Sequence, residues 1–129
     1  MRILGFLLAL ACMLPRVQAA PPTLDLTLTG NWTEVIDSND LSSGAGSDFS
    51  SPIESGTAVA TIDITGNGQW KIYVSKSDIN WPAGVIVAVR RTSDGTGNGT
   101  IAGGDSYLTV TGTEQELFNG SNDRSGIQL

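Results

Sequence analysis

The chain reads as an all-β protein: an antiparallel β-sandwich of immunoglobulin-like type with its C-terminal strand position unfilled. Three observations predict this. Short runs of alternating apolar and polar residues recur between clusters of Gly, Asn, Ser and Asp, with sixteen glycines in 129 residues, as in sandwiches and barrels. No segment repeats its apolar residues at the 3.6-residue period of an amphipathic helix. Alternation also resumes at Ile127-Gln128-Leu129, which reads as the opening of a strand with nothing after it.

The first segment stands apart from the fold. Arg2 supplies a charged n-region, Ile3 to Leu14 an apolar h-region, and Val17 and Ala19 the small residues before a cut, so residues 1–19 read as a secretory signal. The domain is then residues 20–129, exported to the periplasm or cell surface. A competing lipoprotein reading at Leu10-Ala11-Cys12 would leave a signal of only eleven residues. Cys12 is the only cysteine, so the exported domain has none and must be held by packing.

Seven basic residues face thirteen acidic ones. Arg2 and Arg16 leave with the signal, which makes the remainder more acidic still. Nucleic acid and anionic membranes are therefore excluded as partners, since both require clustered Lys and Arg. After the signal no stretch approaches the eighteen apolar residues of a membrane span.

Leu24, Leu26 and Leu28 alternate with Asp25, Thr27 and Thr29 in a first strand that ends at Gly30-Asn31. Asn31 to Asp37 is a second, weaker candidate. Leu41 to Gly56 has no periodicity and is a long loop. From Thr57 to Thr65, Ala58, Ala60, Ile62 and Ile64 share a face. Gly66-Asn67-Gly68 then turns the chain into Trp70, Ile72 and Val74, predicting a hairpin over Thr57–Ser75 with Trp70 inward and Tyr73 outward. Val85 to Arg91 begins apolar on both faces and ends charged, as a central core strand emerging at the rim would. Ser106 to Thr111 is a further strand, and Glu114 to Phe118 a short one.

Chemistry-bearing motifs are sparse. The chain has no His and the exported part no Cys, which removes Ser-His-Asp and Cys-His catalysis and the usual zinc sets. Paired carboxylates could hydrolyse in principle, yet no spacing singles out two of the acidic residues. The expectation is a protein that is not an enzyme and has no cofactor and no metal. Ser93 to Thr100, with Asp94 and Asn98 among glycines, reads as a glycine-rich turn because the alternating ligands and closing Glu of a calcium loop are incomplete. Asn31, Asn98 and Asn119 each begin an N-x-[ST] pattern, which matters only in a glycosylating host. Exported binding domains often hold sugars by stacking on exposed rings, and Trp81, Tyr73 and Tyr107 are the candidates here for an alternative role as a carbohydrate-binding module that takes a polysaccharide.

At Arg90-Arg91-Thr92-Ser93-Asp94-Gly95, with Gly30-Asn31-Trp32, Ile62-Asp63-Ile64, Trp70-Lys71-Ile72 and Asp123-Arg124-Ser125, the chain resembles small exported bacterial β-sandwich proteins of uncharacterised role. These are loosely similar to fimbrial subunits and spore-coat-U-type domains. The resemblance spans most of residues 20–129 and implies a non-enzymatic structural or adhesive surface protein. It also implies a final Thr/Val-rich strand, and completion of the sandwich by a strand donated by a like subunit or a chaperone.

Overall fold

The structure is a computed structural model that describes residues 23–77 and 84–129. Among these residues every regular element is a strand: β1 Leu24–Gly30, β2 Ala60–Gly66, β3 Gln69–Val74, β4 Ala88–Val89, β5 Ile101–Ala102, β6 Leu108–Thr109, β7 Gln115–Ser121 and β8 Arg124–Gln128. The sheet orders are β1-β2-β8, β3-β7-β5 and the small pair β4-β6, all antiparallel. The protein is therefore all-β, as the alternation predicted.

The two larger sheets meet through one core. Ile62 and Ile64 from β2 and Ile127 from β8 face Trp70 from β3 and Leu117 and Phe118 from β7. Trp70 packs edge-on against Phe118, with centroids 6.2 Å apart, and donates its Nε1–H to the Asn122 carbonyl at 2.9 Å. A buried indole finds a partner for its one donor in this way. The inward reading of Trp70, Ile62 and Ile64 is correct.

The predicted hairpin is not. β2 pairs with β1 and β8, and β3 pairs with β7 in the other sheet. Gly66-Asn67-Gly68 is instead a corner at which the chain leaves one sheet for the other, and Ser121 to Asp123, between β7 and β8, turns the same corner alongside it. The two corners are tied together: the Gly66 N–H donates to Asp123 Oδ1 at 2.7 Å, and the Asn122 N–H donates to the Gly68 carbonyl at 2.8 Å. Residues 60–74 and 115–128 thus form one antiparallel ribbon folded over the core. Period-2 patterning assigns a residue to a face and does not assign a strand to a partner, which is why a corner between sheets was read as a turn within one.

Two bulges shape this ribbon. Between Ile62–Ile127 and Ile64–Arg124, Asp63 stands against both Ser125 and Gly126. Its Oδ1 accepts from the Ser125 hydroxyl at 2.6 Å and the Gly126 N–H at 2.7 Å. Those hydrogen bonds, the hydroxyl first, hold the Asp63 carboxyl below its ordinary range. At the other bulge Ile72 faces Phe118 and Tyr73 faces Glu116. Leu117 is the extra residue, so Leu117 and Phe118 are both buried although they are adjacent.

On the free side of β7–β8 runs the segment read as a glycine-rich turn. Ser93 bridges Gln128, Thr96 bridges Ser125, and Ile101 and Ala102 pair with Gly120 and Asn119. No residue is inserted on either side, so 93–102 is a third strand of the ribbon in everything but regularity. A Cβ at Gly95, Gly97 or Gly99 would overlap the carbonyl of Ser125, Asp123 or Ser121. Glycine at every second position lets this strand press against a corner. β8 is therefore flanked on both sides, and Ile127, fully buried, lies near the end of a paired strand. The expectation that Ile127-Gln128-Leu129 opens a strand is corrected: Ile127 and Gln128 belong to β8, which begins at Arg124.

Three smaller expectations change. Asn31 to Asp37 forms no strand and is exposed throughout. Val85 to Arg91 is not a central strand: its regular part is Ala88–Val89, paired with β6, flanked by the Val110 N–H donating to the Val87 carbonyl and the Arg91 N–H donating to the Gly104 carbonyl. Its apolar start is at the surface, with Ile86 74% exposed, while Arg91 is 9% exposed. Burial of Arg91 is possible because its guanidinium is satisfied: it pairs with Asp94 and with Asp105 at 2.6 Å, donates to the Gly103 carbonyl at 2.9 Å, and lies over the Phe118 ring.

Candidate functional site

β1 lies at the edge of its sheet, and its side chains are exposed along its whole length. Its leucines should be core residues, because Leu26 pairs directly with Ile64 and Leu28 with Ile62, and directly opposed residues on antiparallel strands share a face. Yet Ile64 is 1% exposed, while Leu24, Leu26 and Leu28 are 54%, 48% and 60% exposed. The cause is topological. The facing sheet ends at β3, so among the described residues no strand lies across from β1.

Where β1 ends, Gly30 pairs with Ala60. Ala60 lines a mainly apolar cleft of about 330 Å³ together with Trp32, Val59, Val87, Val89 and Tyr107. The leucine row and this cleft therefore meet at the Gly30–Ala60 pair. The alternation in the sequence places the three leucines on one face of a first strand, and it does not single out Trp32. The signal for Trp32 was its place two residues past the end of an edge strand.

Of the three aromatic candidates, the two that are described, Tyr73 and Tyr107, belong to different surfaces. Tyr107 borders the cleft, where the Arg90 guanidinium sits 4.9 Å from its ring centroid and its hydroxyl donates to Glu54 at 2.8 Å. Tyr73 stands on the outer face of β3, opposite Glu116 and 53% exposed. It is not among the residues lining the Tyr107 cleft. Trp81 lies outside the described residues.

Around Tyr73 the outer face is polar. Lys71 Nζ donates to Glu116 Oε2 at 2.6 Å, and Asn119 Nδ2 donates to Glu116 Oε1 at 2.8 Å. Lys71, ahead of Asn119, holds the Glu116 carboxyl below its ordinary range, and Glu116 raises the Lys71 ammonium. A shallow trough of about 570 Å³ runs on past Gln69, Thr100 and Ser121. Asp94, weighed as an oxygen ligand, is instead engaged by Arg91, and no cluster of three metal-ligating side chains occurs among the described residues. No helix among them is long and apolar enough to cross a membrane.

The chain matches no protein-family model, no curated protein and no solved structure in these comparisons.

Proposed function

We propose that the protein is an exported, non-enzymatic structural or adhesive surface protein, fimbrial-subunit-like in working as a strand acceptor, and that the donated strand comes from a like subunit. The observation that carries this reading is the row Leu24, Leu26, Leu28, which shares a face with the buried Ile62 and Ile64 and, among the described residues, is left uncovered at an unpaired edge. An edge of this kind is a template for β-augmentation: backbone groups supply affinity, and alternate side chains supply register. A strand added in the plane of the sheet flanks the leucine row, and covering the three half-exposed side chains contributes at most about 2–5 kcal/mol, at 1.5–3 kcal/mol per fully buried side chain. The cleft at the Gly30 end offers a socket for one further apolar side chain. The acceptor position is therefore beside β1, not beyond the C-terminal residues.

The test is the association state of the processed protein. Light scattering after size-exclusion chromatography should show concentration-dependent oligomers, and Leu26→Lys should abolish them while preserving the folded spectrum. A processed protein that is a soluble monomer at every concentration, unfolding in one reversible step, sinks the reading.

A further inference from the structure

The outer face of the β3-β7-β5 sheet carries chemistry that strand acceptance at β1 does not use. β7 lies between β3, which pairs along its length, and β5, which pairs with Asn119 and Gly120. A ligand lying across this face must be read by side chains. Gln69, Lys71 and Tyr73 project from β3 at every second residue, which spaces them over about 13 Å. That is the length of a short oligomer, not of a single small molecule.

The groups along this line alternate between donors and acceptors. Tyr73 is half-exposed and directly faces Glu116. Glu116 is held by Lys71 and Asn119 in a connected set, with its carboxylate only partly engaged. Further along, the Thr100 and Ser121 hydroxyls lie 3.0 Å apart beside Gln69. A hydroxyl-rich ligand matches this pattern, because each hydroxyl both donates and accepts, and the Tyr73 ring offers a flat apolar surface for the C–H face of a sugar. The charge pattern narrows the class. The Lys71 and Glu116 charges cancel, and the whole chain carries a net charge of −6, so a polyanion gains nothing here and a neutral ligand meets no penalty.

We propose that the Tyr73–Glu116–Lys71–Asn119 face binds a neutral oligosaccharide, with Tyr73 stacking on one ring and the Lys71–Glu116–Asn119 set holding adjacent hydroxyls. The site is separate from the β1 edge, so either reading can fail without the other. It also separates Tyr73 from Tyr107, whose ring and hydroxyl are occupied by Arg90 and Glu54.

Amide chemical shifts of the protein are followed while cellohexaose, xylohexaose, mannohexaose or maltohexaose is added to about 10 mM, a range that detects even millimolar affinity. Saturable shifts confined to β3, β5 and β7 with at least one of these sugars are expected. Tyr73→Ala should weaken that binding at least about tenfold, equivalent to roughly 1.4 kcal/mol, while Tyr73→Trp retains it and Tyr107→Ala leaves it unchanged. Glu116→Gln should weaken it without altering the fold. The Leu26→Lys monomer should bind as the parent does. No shift with any of the four sugars, equal binding by Tyr73→Ala, or stronger binding of oligogalacturonate overturns the proposal.

Discussion

Adding one methyl group at Gly120 should destabilise the protein by about 2–4 kcal/mol, although the residue lies in a regular strand. Gly120 pairs with Trp70 on one side and Ile101 on the other. A Cβ there would overlap Cζ2 and Cη2 of the Trp70 ring and the Thr100 carbonyl oxygen. Its φ is not in the left-handed region, so backbone strain contributes nothing and the cost is steric. The ring has little room to retreat, being buried against Phe118 and anchored through Nε1 to the Asn122 carbonyl. Overpacking a close-packed site costs about 1–3 kcal/mol, and pulling the indole off its acceptor adds about 1 kcal/mol. With an m-value of roughly 2 kcal/mol/M, the urea midpoint of Gly120→Ala should fall by about 1–2 M. A double-mutant cycle with Trp70→Leu isolates the cause: much of the Gly120→Ala cost should disappear once the ring is gone. A midpoint within about 0.25 M of the parent, or strict additivity in the cycle, would refute the packing account.

Three further outcomes follow from other contacts. Gly97→Ala, whose Cβ would strike the Asp123 carbonyl, should cost at least about 2 kcal/mol, against roughly 1 kcal/mol for Gly68→Ala, where φ is +102° but nothing lies within 4 Å; urea midpoints of the two variants check the ranking. The Asp63 and Glu116 carboxyls titrate below their ordinary values of 3.8 and 4.5, so their stabilisation is present above those values and lost as pH falls through the lowered ones. Unfolding midpoints measured from pH 7 to pH 2 should therefore decline in acid, and Asp63→Asn should flatten the decline. Arg91→Ala should be among the most destabilising changes of a charged residue in the chain, about 2–4 kcal/mol, since it removes packing on Phe118 and strands the Gly103 carbonyl; thermal unfolding tests it against Arg90→Ala, which should cost under about 1 kcal/mol.

Faces were legible in the sequence and partners were not. Alternation put Ile62, Ile64 and Trp70 inside and Tyr73 outside, because a pleated strand leaves no other choice. The same alternation could not tell that β2 and β3 belong to different sheets, since a corner and a hairpin both draw on glycine and asparagine. Nor could it tell that Leu24, Leu26 and Leu28, on the face of the buried Ile62 and Ile64, would have no strand across from them among the described residues. Arg91 inverted its expectation because burial of a guanidinium depends on two aspartates and a carbonyl brought in by later turns of chain. One signal was present and went unread: glycines at 95, 97 and 99 keep the strand period, which a loop has no reason to do. For the outer face of β3, Tyr73 was identified, while Glu116 and Asn119 come from forty residues downstream and are joined to it only by the ribbon.

That folded ribbon has a bearing on how the polypeptide acquires its shape. Residues 60–74 find their main partners only at 115–128, so until that segment is available they have little native structure to adopt beyond the β1–β2 pair. Pairings this distant in sequence place the domain among slow folders. Anything that caps or removes residues 115–128 should leave the whole domain unfolded, not merely frayed.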